Sequence, residues 1–132
     1  MANFKYLSPE WTQEALRRLR AELTPEQMKH VTSSMLTVNL HCPDGVTRAV
    51  YYKFEDGVVA ELSVREGDLP EAEFSITGDY QTFASISRAE LGARAALMSG
   101  KLKLKGNLVK ALSLASIVDR LNKVLATIPT DY

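Results

Sequence analysis

The chain changes its hydrophobic period twice. Up to about residue 32 the apolar residues recur at helical spacing, from Ser34 to Ile76 they alternate, and beyond Gly78 the helical spacing returns. Strands with one apolar face must bury it against something, and here only the flanking helices are available. The expected class is therefore α+β, a sheet covered on one face by helices.

Local signals place the elements. Ser8-Pro9 supplies an N-cap and a proline at the first helical position, and Trp11, Ala15, Leu16, Leu19 and Leu23 follow on one helical face. Thr24 and Gln27 form a candidate capping box leading into a short helical turn around Met28 to Val31. In the first strand, Leu36, Val38, Leu40 and Cys42 share one face and Thr37, Asn39 and His41 the other. Pro43-Asp44-Gly45 turns into a second strand, where Val50, Tyr52 and Phe54 alternate with Ala49, Tyr51 and Lys53. Asp56-Gly57 is a tight hairpin signal before Val58, Ala60, Leu62 and Val64, and Ala72, Phe74 and Ile76 continue the rule in a fourth strand.

After Gly78, Asp79 is placed to cap a helix carrying Tyr80, Phe83, Ala84 and Ser87. A short helix over Ala93 to Ser99 ends at Gly100, and a fifth strand is expected from Lys101 to Lys105. The last helix runs from Asn107 to about Thr127 and stops before Pro129. The 132 residues make one domain, a helical segment over 1–32 and the sheet with its covering helices over 33–132.

Sixteen basic and sixteen acidic side chains cancel, which argues against a nucleic-acid binder held by phosphate contacts. A single cysteine excludes an internal disulfide framework, and two histidines beside it make a metal site of ordinary ligand type an unsuitable reading. No cofactor is expected. The start of the chain lacks the pattern of a signal peptide, and no apolar run approaches the roughly 20 residues that span a bilayer, so a cytoplasmic protein is expected.

Little in the chain suggests catalysis. His41 and Cys42 are neighbours on a strand, so their side chains point to opposite faces and cannot form a dyad. His30 has no evident partner. Gly100-Lys101 resembles the end of a phosphate loop, but Ala95 stands where the first glycine belongs and Leu102 replaces the hydroxyl residue.

Two features remain. Lys101, Lys103 and Lys105 alternate with Leu102 and Leu104, which suits a soluble edge strand or a cationic lip for an anionic head group or membrane surface. The last helix carries two apolar rows, Leu108, Ala111, Leu112, Ala115 and Val118 beside Leu114, Ile117, Leu121, Val124 and Ile128. Together they are wider than docking on a sheet requires. The surplus can meet a packed core, a dimer partner, or a cavity filled by a hydrocarbon ligand. Burying a chain of about sixteen carbons contributes on the order of 12 kcal/mol gross, at about 0.8 kcal/mol per methylene.

The segments Phe74 to Ile86 (FSITGDYQTFASI) and Ala96 to Asn107 (ALMSGKLKLKGN), followed by a lysine- and leucine-rich terminal helix, resemble the sterol carrier protein type two family of nonspecific lipid-transfer proteins. The resemblance covers roughly Ser34 to Ile128. It implies a five-stranded, mostly antiparallel sheet covered on one face by about five helices, with an apolar tunnel between the layers. It also implies a non-enzymatic carrier of fatty acid, fatty acyl-CoA, phospholipid or sterol, with no catalytic residue to carry over. The tunnel would be lined by Leu36, Val38, Tyr52, Phe54, Phe83, Ile86, Leu97, Met98, Leu102, Leu112, Ile117 and Leu121, with Lys101, Lys103 and Lys105 near the head group or a transiently touched membrane. Many eukaryotic members carry aromatics where Leu97 and Met98 stand and end in a peroxisomal signal, unlike Thr130-Asp131-Tyr132, which suits a prokaryotic-type cytosolic member. The alternative is an interaction or dimerisation module accessory to another enzyme. Either a monomer or a homodimer is compatible with the sequence.

Overall fold

A computed structural model describes residues 3–132. In chain order the elements are β1 (Phe4–Lys5), α1 (Pro9–Glu22), β2 (Ser33–Leu40), β3 (Arg48–Glu55), β4 (Val58–Arg65), β5 (Phe74–Asp79), α2 (Tyr80–Ser87), α3 (Ala93–Met98), β6 (Lys103–Lys105), α4 (Leu108–Leu125) and β7 (Thr130–Asp131). Strands β2 to β6 form one sheet in the order β4-β3-β2-β5-β6. Three of its four pairings are antiparallel and one, β2 with β5, is parallel. The α+β fold with a five-stranded, mostly antiparallel sheet is as the sequence implies.

Local chemistry explains the elements. Ser8 caps α1 by accepting from the Trp11 N–H at 3.2 Å, and Trp11, Ala15 and Leu19 are buried on one face. Asp56 and Gly57 join β3 to β4 with φ of 48° and 79°, the left-handed pair that a tight hairpin turn needs. Arg20 of α1 donates from Nε and Nη2 to the carbonyls of Val59 and Ala60 at 3.0 and 3.1 Å, covering the free edge of β4. Asn107 caps α4 by accepting from the Lys110 N–H at 3.0 Å.

Four helices are present among the described residues, not five. The capping box does form, with Thr24 N–H donating to Gln27 Oε1 at 3.0 Å and Gln27 N–H to Thr24 Oγ1 at 3.1 Å. Its helix does not propagate, because Lys29 and His30 sit at positive φ and the segment remains a turn. The two termini meet in a small parallel pair, β1 with β7, that no hydrophobic period announced.

The register sets which side chains face the helices. Met35 pairs with Tyr52 and Phe74, Thr37 with Val50 and Ile76, and Asn39 with Gly78. Directly paired residues point to the same face. Met35, Tyr52 and Val50 belong to the main core, so this is the covered face. Leu36 and Val38 lie on the opposite one, a correction to the expectation that they line the helix-covered interior. Both faces of β2 carry apolar residues, and alternation alone cannot say which set is turned inward. Leu36 is nonetheless buried, beside Leu69, Pro70 and Ala72 of the loop that crosses the outer face.

Two apolar clusters fill the space beneath the helices. The larger joins Trp11, Leu19, Phe54, Leu121 and Leu125 with their neighbours; the smaller consists of Phe83, Ile86, Ala96 and Leu102.

Candidate lipid-binding site

The seam between these clusters holds the candidate site. Two adjoining cavities of about 40 Å³ each lie there, between the sheet and the helices α2, α3 and α4. Met35, Ile76, Ala93, Leu102 and Val118 border both, so these side chains form the partition. The outer cavity runs along the start of α4, where Leu97, Ala111, Leu114 and Ala115 complete an entirely apolar wall with Phe74. The inner cavity lies toward the chain termini and adds Tyr6, Thr37, Tyr52, Ser87 and Asn122 to Phe83, Ile86 and Leu121.

No continuous tunnel is open between the layers among the described residues; the space there is two small voids divided by the shared side chains. Each has room for only a few water-sized probes, so a hydrocarbon chain enters only as the surrounding layers separate. The six-residue α3 is held at its start by the Ala93 N–H, which donates to Asp119 Oδ1 at 2.7 Å. Beside the outer cavity, Glu73 at the start of β5 is paired with Lys110 in the first turn of α4 and accepts from Ser33 Oγ at 2.6 Å. The hydrogen bond from Lys110 holds the Glu73 carboxyl below its ordinary range.

The expected tunnel residues divide by position. Tyr52, Phe83, Ile86, Leu102 and Leu121 border the inner cavity, and Leu97 and Leu102 the outer one. Phe54 and Ile117 are packed into the main core and border neither, and Leu112 is half-buried outside both. Met98, the last residue of α3, is 65% exposed. Lys103 and Lys105 pair with Thr77 and Ser75, while Leu104 pairs with Ile76, a cavity residue. The lysines therefore project from the outer face of the edge strand, and none of Lys101, Lys103 and Lys105 borders either cavity.

Sequence reasoning missed Met35, Thr37, Ile76, Ala111, Ala115 and Asn122 as cavity residues. Shifting the β2 face by one position finds Met35 and Thr37. Asn122 was visible as a polar residue on an otherwise apolar helix face. The histidines have partners on the surface: His30 Nδ1 lies 2.9 Å from Asp56 Oδ1, and His41 Nδ1 lies 2.6 Å from Asp79 Oδ1. His41 is exposed whereas Cys42 is buried with its Sγ against the Asn39 carbonyl. Among the described residues no three His, Cys, Asp or Glu side chains are gathered to hold a metal ion. No helix among them is long and apolar enough to cross a membrane.

The family model of the SCP-2 sterol transfer family matches residues 10–119. The chain belongs to that family. Membership makes lipid binding and transfer its general function. A crystal structure of sterol carrier protein 2 superimposes with a TM-score of 0.81 at 24% identity, covering 94% of this chain and 99% of the other. A conserved hypothetical protein from Thermus thermophilus, suggested to be a sterol carrier protein, gives 0.81 at 24% identity over 99% of this chain and 94% of its own. Palmitated SCP2L2 from Aedes aegypti gives 0.59 at 21% identity over 84% of this chain and 94% of its own. These likenesses establish the fold of the SCP-2 chain. No curated protein sequence matches it.

Proposed function

We propose that this SCP-2 chain is a non-enzymatic carrier that takes the hydrocarbon part of a fatty acid, fatty acyl-CoA, phospholipid or sterol between the sheet and helices α3 and α4. The observation that carries this reading is the pair of adjoining voids, the outer one wholly apolar and the inner one mostly so, between two core clusters that fail to merge. Filling such space with methylenes is favourable without any directional group, so binding needs no catalytic residue. The fatty acyl class is supported by a structural relative described as palmitated.

The mouth is assigned to the start of α4. Leu108 and Val109 are 52% and 76% exposed there, and Met98, next to the cavity residue Leu97, is exposed as well. Scattered apolar residues need no explanation, but these three lie on α3 and α4, the two helices that wall the outer cavity. A bilayer is the surface these apolar side chains suit, since they can enter it, and Lys103 and Lys105, on the outer face of the edge strand, would add a general attraction to an anionic membrane. The carrier works in the cytoplasm as a monomer or homodimer in this reading.

Titration with a fluorescent fatty acid tests the proposal. Saturable binding is expected in the native chain and weakened binding in Ala115→Leu, which places a larger side chain in the outer cavity. Absence of saturable binding, together with a light-scattering mass fixed at the dimer, would favour an accessory interaction module instead.

A further inference from the structure

The two cavities differ in chemistry. The outer one is bordered only by apolar side chains, whereas the inner one gathers the hydroxyls of Tyr6, Thr37, Tyr52 and Ser87 and the amide of Asn122. Tyr6 and Ser87 satisfy one another at 2.9 Å. Tyr52 and Asn122 do not: each is only 6% exposed, and neither side chain has a hydrogen-bond partner among the described residues. Tyr52 and Asn122 thus border the same void with polar groups that no protein partner occupies, whereas the fully sealed unpartnered atoms lie elsewhere, at Asn39 Oδ1 and Arg88 Nε. They come from opposite layers, Tyr52 from the sheet and Asn122 from α4, and border one cavity between them.

From this we infer that the inner cavity selects lipids whose buried end carries a neutral hydrogen-bonding group, a hydroxyl or a carbonyl. The inference rests on the carrier reading above. No charged side chain borders the inner cavity, so a carboxylate carried there would be buried without a counter-ion, a costly arrangement. A hydroxyl can donate to the Asn122 amide oxygen and accept from the Tyr52 phenol, or the reverse, and needs no compensating charge. The charged head of a fatty acid therefore stays at the mouth, and the far end of the chain is the part that is read. A saturated hydrocarbon end leaves both groups unsatisfied, which is the situation in which a polar pocket discriminates most.

The test is displacement of a fluorescent fatty acid by hexadecanoate and by its terminally hydroxylated analogue, in the native chain and in Tyr52→Phe and Asn122→Leu. In the native chain the hydroxylated analogue is expected to bind about tenfold tighter than hexadecanoate. That ratio should fall toward unity in each variant, a change that loss of stability alone would not produce. A native ratio near unity overturns the selectivity, a tenfold ratio kept in both variants overturns its assignment to Tyr52 and Asn122, and with hexadecanoate still bound either result leaves the carrier standing. Failure of both lipids to displace the probe overturns the carrier and the selectivity together. If Tyr52→Phe does not fold, Asn122→Leu alone decides, because its ratio is measured on folded protein.

Discussion

The phenol oxygen of Tyr6 and the hydroxyl of Ser87 lie 2.9 Å apart in the interior, joining the segment after β1 to the end of α2 across 81 positions of sequence. The Tyr6 ring also packs edge-on against Trp11 and Tyr80, with centroids 5.0 and 5.5 Å away. The amino-terminal segment is thus bound to the helical layer by one buried hydrogen bond and an aromatic cluster. Removing the Tyr6 hydroxyl strands the Ser87 oxygen in a buried setting, so Tyr6→Phe is expected to cost about 1–3 kcal/mol. Denaturant titration measures it. The double variant with Ser87→Ala should lose less than the two single changes summed, and strict additivity would show that the pair is not coupled.

Burial pushes the Tyr6 phenol far above the ordinary tyrosine range, its hydrogen bond to Ser87 opposing, and burial alone raises Tyr52. Both groups stay protonated in the folded chain, while the unfolded chain releases its phenol protons at about pH 10. Stability from these two residues is therefore complete below that pH and declines above it, by up to about 1.4 kcal/mol per pH unit for each group. Denaturant midpoints taken through the alkaline range should fall with that slope. Tyr6→Phe should remove its half of the decline, and an unchanged slope would sever the link to this residue.

The fold was legible because period changes are strong signals: α1, the β3-β4 hairpin and α4 all lie where caps, turns and spacing put them. The parallel pairing of β2 with β5 was not, since both strands read alike whichever way they run. The inward face of β2 lies one position away from the Leu36 and Val38 set that alternation favours. Met35 and Leu36 are both buried, one under the helices and one under the loop carrying Leu69, so burial cannot break the tie. In α4 the excess apolar width is the sequence trace of the site, yet its use is split: Ile117, and Ile128 just past the helix end, fill the core while Ala111 and Ala115 leave space open. Void is set by the small residues facing it, and a list of large apolar residues points elsewhere.

Acid should act through a different corner. Arg48 donates to both carboxyl oxygens of Asp44, at 2.9 and 2.6 Å, and the pairing lowers the Asp44 carboxyl to about 2. The folded value lies below the ordinary 3.8, so the contribution of this group to stability is present above that pH and is lost as the pH falls through about 2. Thermal melts across this window should show a decline in the native chain that Asp44→Asn flattens. A decline of the same shape in the variant would assign it to other carboxyls.

Gly78 offers the sharpest probe of the cavities. It pairs with Asn39 on the covered face, and a Cβ built there meets Leu102 Cδ2 at 2.6 Å and Phe83 Cε2 at 3.3 Å. Both side chains border the inner cavity, and Leu102 also forms part of the partition. A leucine terminus can rotate where backbone could not, and the space open to it is the void itself. Gly78→Ala is therefore expected to cost about 1–3 kcal/mol through crowding and, more tellingly, to weaken fatty-acid binding several-fold by driving Leu102 into the cavities. Thermal melting and fluorescent fatty-acid titration on the same preparation separate the two effects. A lowered melting temperature with unaltered affinity would mean that Leu102 yields in another direction and that the partition it forms does not limit lipid entry.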